Sequence, residues 1–147
     1  MATTVTAVEL TSTITESISL NGQTYGNTVT KSSEVVGNVI QRVLALPTSQ
    51  ANILLFGAND EAGQVVGDSI VYLRITNLDD TNYVQLNFQT AAENYSVKLN
   101  ALESYVIMNN QMDAVNTVTM GTLEDMTKCS GKSNGDLCDI EILCVSS

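Results

Sequence analysis

Acidic and amide side chains gather at two places in this chain of 147 residues. Asp79 and Asp80 are adjacent, and a second group near the end of the sequence consists of Asn134, Asp136, Asp139 and Glu141. Carboxylate oxygens can ligate Ca²⁺, and a carboxylate pair can transfer protons. Neither group has the spacing of an EF-hand loop, whereas Asp is common in tight turns and alternating acids are common on solvated strands. We therefore predict a turn at the first group and a solvated strand face at the second.

Nucleophilic catalysis lacks its usual base, because the chain contains no histidine. Ser–His and Cys–His sites and most catalytic zinc sites depend on an imidazole. The stretch SGKS at 130–133 has the last residues of a phosphate-binding loop, but Met126 stands where that motif requires its first glycine. We expect no catalytic residue, no cofactor-binding residue and no metal ligand, and therefore no enzyme.

Three cysteines, Cys129, Cys138 and Cys144, fall near the end of the sequence. Their odd number favours reduced thiols, with one disulfide as the alternative. If Cys138 and Cys144 share a strand, they lie about 20 Å apart at 3.4 Å per residue, which is too far for a disulfide. Only Cys129 could then pair with either of them.

The charge balance limits the partners. Sixteen acidic and six basic side chains give a formal charge of −10 at neutral pH, which repels phosphate backbones and anionic lipid. The basic residues are scattered along the sequence and predict no cationic stripe. The first residues do not have the pattern of a signal peptide, and no apolar stretch is long enough for a membrane helix. We expect a soluble, unsecreted protein without a nucleic-acid or membrane partner.

Apolar and polar residues alternate along most of the chain, as in half-buried strands. TSTITESISL at 11–20 predicts a strand, and the Asn21-Gly22 pair predicts a hairpin turn after it. The segment at 35–46, which Pro47 follows, could be a helix by composition, but its β-branched content and Gly37 favour a strand. NILLF at 52–56 suits a strand that is buried on both faces.

The second half continues the alternation. RITNLDDTNYVQLNF at 74–88 predicts a hairpin, with Leu78 to Tyr83 as its connection. Further strands are expected in ENYSVKLN, ESYVIMN and LCDIEILCVSS. TLEDMTK favours a helical turn that Thr122 would cap.

Eight or nine short strands without crossover helices predict an all-β protein, an antiparallel β-sandwich of jelly-roll type. We expect a single sandwich domain at 11–147 and an N-terminal arm at 1–10, because chain ends stay loose unless they dock. The predicted core comprises Ile14, Ile18, Leu20, Leu73, Ile75, Val84, Leu86, Phe88, Val97, Leu99, Ile140 and Ile142.

A resemblance adds a function. The segment DSIVYLRITNLDDTNYVQLNFQTAAENYSVKLNALESYVI at 68–107 resembles a stretch of small β-rich virion proteins of tailed bacteriophages, particularly those of marine bacteria. TESISLNG at 15–22 is similar to their opening strand. One departure is Leu102, where such proteins often carry Gly in a tight turn.

The resemblance implies a structural component of the virion, and we favour a capsid decoration or cement protein on the exterior of the particle, present in the host cytoplasm during assembly. Its partners would be the major capsid protein or other virion proteins and further copies of itself, with a trimer favoured by analogy. Two alternatives are a tail, fibre or adaptor component and a carbohydrate-binding recognition module. A carbohydrate-binding module would bind sugars by stacking them on tyrosine rings. The candidate tyrosines are Tyr25, Tyr72, Tyr83, Tyr95 and Tyr105. A remote enzyme is a third, less favoured reading.

Overall fold

The computed structural model describes residues 8–35, 38–57, 64–66, 70–113 and 119–147. Every regular element in these ranges is a β-strand. Among the described residues, none belongs to a helix long and apolar enough to cross a membrane. The chain divides into two compact units, Met1–Gly37 and Asn38–Ser147. The predicted boundary at residue 10 falls inside the first strand, and residues 1–7 of the predicted arm lie outside the described part.

The first unit is a long β-hairpin, which we call the N-terminal ribbon. Its strands are β1 (Val8–Thr15), β2 (Ile18–Leu20), β3 (Gln23–Tyr25) and β4 (Thr28–Val35). β1 pairs with β4 and β2 pairs with β3, in one continuous antiparallel register. Asn21 and Gly22 form the tip with φ angles of 52° and 78°, so the predicted turn is confirmed.

Gly26 lies where the ribbon is interrupted between its two pairs of strands. Its φ is 120°, a conformation that side chains with a Cβ rarely adopt. A Cβ added there would lie 2.1 Å from the carbonyl oxygen of Glu16. The interruption therefore requires glycine.

The ribbon has no core of its own. Between residues 8 and 33 no side chain is buried. The prediction that Ile14, Ile18 and Leu20 belong to the core is wrong, because they are 48%, 63% and 59% exposed. The alternation was read correctly as a strand with an apolar face, but the described residues 8–35 of this unit provide no second layer for that face to pack on.

The second unit contains all the remaining strands. They are β5 (Val39–Leu46), β6 (Ala51–Gly57), β7 (Gln64–Val66), β8 (Ile70–Asn77), β9 (Val84–Gln89), β10 (Asn94–Leu99), β11 (Ser104–Ile107), β12 (Gln111–Met112), β13 (Glu124–Asp125), β14 (Lys128–Ser133) and β15 (Cys138–Ser146). Together with the four strands of the ribbon, the number of strands exceeds the eight or nine that were predicted. The helical turn predicted at Thr122 is wrong, since β13 occupies Glu124 and Asp125 and pairs with β12.

Two sheets pack against each other in this unit. One has the order β10-β9-β14-β6-β7, and the other has the order β11-β8-β15-β5. Every pair in them is antiparallel except β6 with β7. The prediction of an all-β protein with antiparallel sheets, as in a β-sandwich, is confirmed, while the jelly-roll connectivity stays a prediction.

The core lies between the inward faces of the two sheets. Eight of the predicted core residues are buried there, namely Leu73, Ile75, Val84, Leu86, Phe88, Leu99, Ile140 and Ile142. Val97 is half-buried and packs against them. The rings of Tyr95 and Tyr105 both lie 5.3 Å from the ring of Phe88, measured between centroids. Because β11 and β10 belong to different sheets, this aromatic group joins the two layers.

The connection between β8 and β9 is not a hairpin turn. β8 lies in the four-stranded sheet and β9 in the five-stranded sheet, so the hairpin predicted in RITNLDDTNYVQLNF is wrong. The chain crosses from one layer to the other between Leu78 and Tyr83. The residues predicted to point inward, Leu73 and Ile75 in β8 and Val84, Leu86 and Phe88 in β9, are still buried, because each strand turns its apolar face to the same core.

Asn77, the last residue of β8, holds this crossing in place. It is fully buried, and its Nδ2 donates hydrogen bonds to the carbonyl oxygens of Asn82 at 2.8 Å, Asn100 at 3.1 Å and Leu99 at 3.4 Å. Its Oδ1 accepts a hydrogen bond from the Asp79 amide at 3.1 Å. One side chain therefore ties the end of the four-stranded sheet to segments that flank β9 and β10.

Leu102 occupies the turn in which the resemblance described above leads to an expectation of glycine. The turn forms here with Leu102 at a φ of 61° and its side chain 69% exposed. Its amide donates to the Asp79 carbonyl oxygen at 3.2 Å, next to the crossing. The tight turn is thus kept without glycine.

The three cysteines are free and buried. Burial raises the pKa of the Cys129 thiol and raises the pKa of Cys144 to about 12. Since the thiolate is the reactive form, we expect an aromatic disulfide reagent at neutral pH to label no thiol in the folded protein. After denaturation without reductant it should label all three. A single reactive thiol in the denatured protein would instead show a disulfide and contradict the structure.

Candidate functional site

The adjacent acids Asp79 and Asp80 close the crossing between the sheets. Asp79 Oδ1 accepts hydrogen bonds from the Thr81 amide at 2.8 Å and the Asn82 amide at 2.6 Å. These two hydrogen bonds hold the pKa of Asp79 below its usual value, and the bond from the Asn82 amide has the larger effect. The Asp80 side chain accepts a hydrogen bond from the Thr81 hydroxyl at 2.8 Å. The local hydrogen bonding predicted for this acidic pair is present at Asp79, but it closes a crossing between two sheets and not the predicted hairpin turn.

The second acidic group is spread over two segments with separate partners. Asn134 Oδ1 accepts a hydrogen bond from the Tyr83 amide at 2.8 Å. Glu141 contacts Arg74 at 2.9 Å and Gln41 at 2.9 Å. The hydrogen bond from Gln41 is the larger cause, and the contact with Arg74 the next, of a lowered pKa of Glu141. Asp136 and Asp139 are exposed. Across the described ranges, no three Cys, Asp or Glu side chains are grouped so that they could hold a metal ion.

The SGKS stretch forms most of strand β14 and pairs with β9 on one side and β6 on the other. A phosphate-binding loop connects a strand to a helix, and a strand in mid-sheet cannot wrap its amides around a phosphate. The phosphate-loop reading is therefore excluded on structural grounds.

The five tyrosines do not form one stacking platform. Tyr95 and Tyr105 pack on Phe88, and their hydroxyls lie 3.3 Å apart. Tyr25 lies near the tip of the ribbon, and Tyr72 lies on β8. Tyr83 lines two small hollows on the outer side of the five-stranded sheet. Packing thus accounts for Tyr95 and Tyr105, two of the five tyrosines named for the carbohydrate-binding alternative.

The outer face of the five-stranded sheet is the most distinctive polar surface of the second unit. The inward residues of β9 alternate with Gln85, Asn87 and Gln89, which point outward. β10 and β14 flank β9 and continue the face. Three rows cross the sheet: Lys98, Gln85 and Lys132; then Ser96, Asn87 and Ser130; then Asn94, Gln89 and Lys128. We call this surface the amide face.

A cleft of about 430 Å³ lies on the amide face. Its lining consists of Thr48, Ser49, Gln50, Gln85, Asn87, Gln89, Asn94, Ser96, Gly131 and Lys132. The segment after β5 forms one wall, and Gln50 Nε2 fixes it by donating to the Ser130 hydroxyl at 2.8 Å. Nearly every group in the lining can donate or accept hydrogen bonds.

The floor of the cleft is ordered by Asn87. Its Nδ2 donates to the Ser96 hydroxyl at 2.9 Å and to Asn94 Oδ1 at 3.2 Å. Its Oδ1 is buried and has no hydrogen-bond partner. A buried acceptor without a partner costs about 1–3 kcal/mol. The floor therefore carries an acceptor that a hydroxyl donor would stabilise.

Three of the four lysines in the chain, Lys98, Lys128 and Lys132, point outward on this one face. The other outward residues of β9, β10 and β14 are uncharged. Lys98 Nζ lies 4.4 Å from the centroid of the Tyr83 ring, which is a cation–π distance. Three of the six basic residues of the sequence thus lie on one surface of a protein with an excess of acidic residues.

Comparison with family models, curated proteins and solved structures finds no match. Function must therefore be argued from the surfaces themselves.

The ribbon offers a second surface, with two unlike faces. On one face hydroxyls meet across the strands, with oxygen distances of 3.3 Å for Thr15 and Thr28 and 3.2 Å for Thr13 and Thr30. On the other, Ile14 lies opposite Val29, and Val8 and Leu10 follow along β1. The tip adds Ile18, Leu20 and Tyr25, which are all more than half exposed. This row of apolar side chains is the clearest interaction surface of the first unit.

Sequence reasoning missed the amide face and recognised only half of the ribbon. The lysines of the amide face come from distant parts of the chain, and only the pairing of β9 with β14 brings them together. One local signal of the amide face was present in the sequence, namely the amide side chains at alternate positions of β9. These amides differ from the threonines and serines that occupy the polar face of the ribbon. The apolar face of the ribbon was recognised but was assigned to the core.

Proposed function

We propose that this protein is a structural component of a tailed-phage virion, a capsid decoration protein that binds neighbouring copies of itself and the shell through protein–protein contacts. The observation that carries the proposal is the N-terminal ribbon, an ordered hairpin that shows a row of apolar side chains and buries none of them. The resemblance of 68–107 and 15–22 to small phage virion proteins supports the same class.

The ribbon needs a partner on energetic grounds. An isolated two-stranded hairpin is marginally stable in water and becomes stable when a further layer covers its apolar face. Each Ile, Leu or Val that becomes fully buried contributes roughly 1.5–3 kcal/mol. The ribbon is about 40 Å long at 3.4 Å per residue, so it offers a surface of oligomerisation size.

We assign the ribbon of a second copy as the partner, within a homo-oligomer that we propose to be a trimer. Identical ribbons bring identical apolar rows together, while their hydroxyl faces remain hydrated on the outside. The apolar row includes two charged side chains of opposite sign, Lys31 opposite Ser12 and Glu16 between Ile14 and Ile18. Like charges therefore give little repulsion along the row.

The association is tested with two matched double variants in the first half of the ribbon. We expect the native protein to be a homo-oligomer by light scattering, and Ile14→Ser with Ile18→Ser to reduce it to monomers while the thermal transition of the second unit is kept. Thr11→Ser with Thr13→Ser alters the opposite face and should leave the oligomer intact. A native protein that is monomeric at tens of micromolar, or equal behaviour of the two variants, would refute self-association through the ribbon.

The location is tested separately by electron microscopy of purified phage particles. A decoration protein should appear as copies repeated over the capsid surface. Density restricted to the tail would replace this proposal with the tail or adaptor alternative. Absence of the protein from purified particles would end the virion reading altogether.

A further inference from the structure

We propose that the cleft on the amide face binds an acidic oligosaccharide, a chain of sugars that carries carboxylates as uronic acids do. This site is independent of the ribbon and of the virion proposal. It rests on the chemistry of the cleft lining, on the position of the lysines and on the unmet acceptor in its floor.

The lining chemistry points to a polyhydroxylated ligand. Gln85, Gln89 and Asn94 present side-chain amides, each of which has two N–H donors and an oxygen acceptor. A sugar hydroxyl both donates and accepts, so neighbouring hydroxyls can be matched by such a floor. An apolar ligand would leave these groups unpaired, which costs free energy for each lost hydrogen bond. The volume of about 430 Å³ falls in the range of ligand clefts.

The unmet acceptor strengthens this reading. The hydrogen bonds of Asn87 all use its Nδ2, toward Asn94, Tyr95 and Ser96. Its Oδ1 has no partner and is closed to solvent, although Asn87 lines the cleft. A ligand hydroxyl would donate to this oxygen once the amide rotates toward the cleft. The site thus contains a polar group whose cost is offset when a hydroxylated ligand binds.

The lysines of the amide face favour a negatively charged ligand. Lys98 and Lys132 flank Gln85 on neighbouring strands, so their backbones lie about 10 Å apart. Lys128 stands on the same face, about 13 Å further along β14. No acidic residue occupies an outward position of β9, β10 or β14. In a protein of charge −10, the long-range field repels large polyanions, whereas a short acidic glycan meets only the local lysines.

Tyr83 provides the remaining element of a sugar site. Its ring is 37% exposed and lines two smaller hollows that share Gln85 with the cleft, one of which also shares Thr48 and Lys132. Aromatic faces beside hydrogen-bonding groups suit the apolar side of a pyranose ring. Lys98 already lies over the ring, so a carboxylate near Lys98 would draw a sugar toward Tyr83.

Titration calorimetry of the full chain tests the site with two ligands that differ only in charge. The probes are an alginate hexasaccharide and the same hexasaccharide with its carboxylates reduced to hydroxymethyl groups. We expect the acidic ligand to bind about tenfold more tightly, since a charge-assisted contact contributes roughly the free energy of one decade. Added salt should remove most of this difference. Equal binding of the two ligands, or no binding of either, would overturn the proposal.

Variants place the binding on the amide face. Lys98→Gln with Lys132→Gln should weaken the acidic ligand at least about tenfold, and Gln85→Glu should also weaken it by adding a negative charge between the lysines. Lys31→Gln removes one positive charge from the ribbon and should leave the affinity unchanged. Thermal unfolding confirms that each variant is folded. If Lys31→Gln weakened binding as much, or if inorganic polyphosphate bound as tightly as the hexasaccharide, the surface would be a nonspecific anion binder and the proposal would fail.

Discussion

Replacing Asn77 with alanine is expected to lower the free energy of unfolding of the second unit by about 3 kcal/mol. The substitution takes the donor away from the carbonyl oxygens of Asn82, Leu99 and Asn100 and takes the acceptor away from the Asp79 amide. It also leaves a small cavity at a fully buried position. Denaturant unfolding followed by circular dichroism measures the loss.

Two further variants distinguish the hydrogen bonds of Asn77 from the possibility that any substitution in the crossing lowers stability. Asp80→Asn changes a neighbouring exposed side chain and should be nearly silent. Asn77→Asp keeps the shape but places a carboxylate against three carbonyl oxygens, which disfavours its charged form and raises its pKa in the folded state. The destabilisation by Asn77→Asp, relative to the native protein at the same pH, should therefore shrink as the pH falls. A loss below about 1 kcal/mol for Asn77→Ala would mean that water replaces the amide.

Leu86→Ala is the second substitution with a large expected effect, again about 3 kcal/mol. Leu86 is fully buried in the central region of the five-stranded sheet, opposite Val97 on one side and Gly131 on the other. Gly131 has no room to move inward, since a Cβ there would already lie 2.9 Å from Ile53 Cδ1. The cavity should therefore persist, and its cost adds to the lost burial.

The matched control for Leu86 is Leu137→Ala, because Leu137 is 66% exposed. We expect this change to alter stability by less than about 0.5 kcal/mol. Chemical denaturation of both variants gives the comparison. Equal losses at the two positions would show that burial at Leu86 does not govern stability, contrary to the packing described above.

Alternation identified buried positions well where a second layer exists. Val84, Leu86 and Phe88 were predicted from their spacing and are fully buried. The same signal failed at Ile14 and Ile18, because alternation shows which face of a strand is apolar but not whether anything covers it. The coverage depends on contacts that are distant in sequence or lie in another chain.

The connection between β8 and β9 shows a second limit. A hairpin and a crossing between layers both place Ile75 and Val84 inward, so the residue pattern is the same in the two cases. What distinguishes them is the hydrogen-bond partner of each strand, β15 for β8 and β14 for β9. Those partners follow much later in the chain, and no local propensity encodes them. The amide face was missed for the same reason.

The central place of β15 has a consequence for biosynthesis. β15 forms the middle of the four-stranded sheet, with β5 on one side and β8 on the other, and pairs Val145 with Val39 across most of the second unit. During translation, at roughly 5–20 residues per second, β5 and β8 leave the ribosome first and hold open edges until β15 arrives. A premature stop before codon 138 would therefore not give a smaller domain. It would leave two unjoined strands and an uncovered core, which are features that chaperones and proteases recognise.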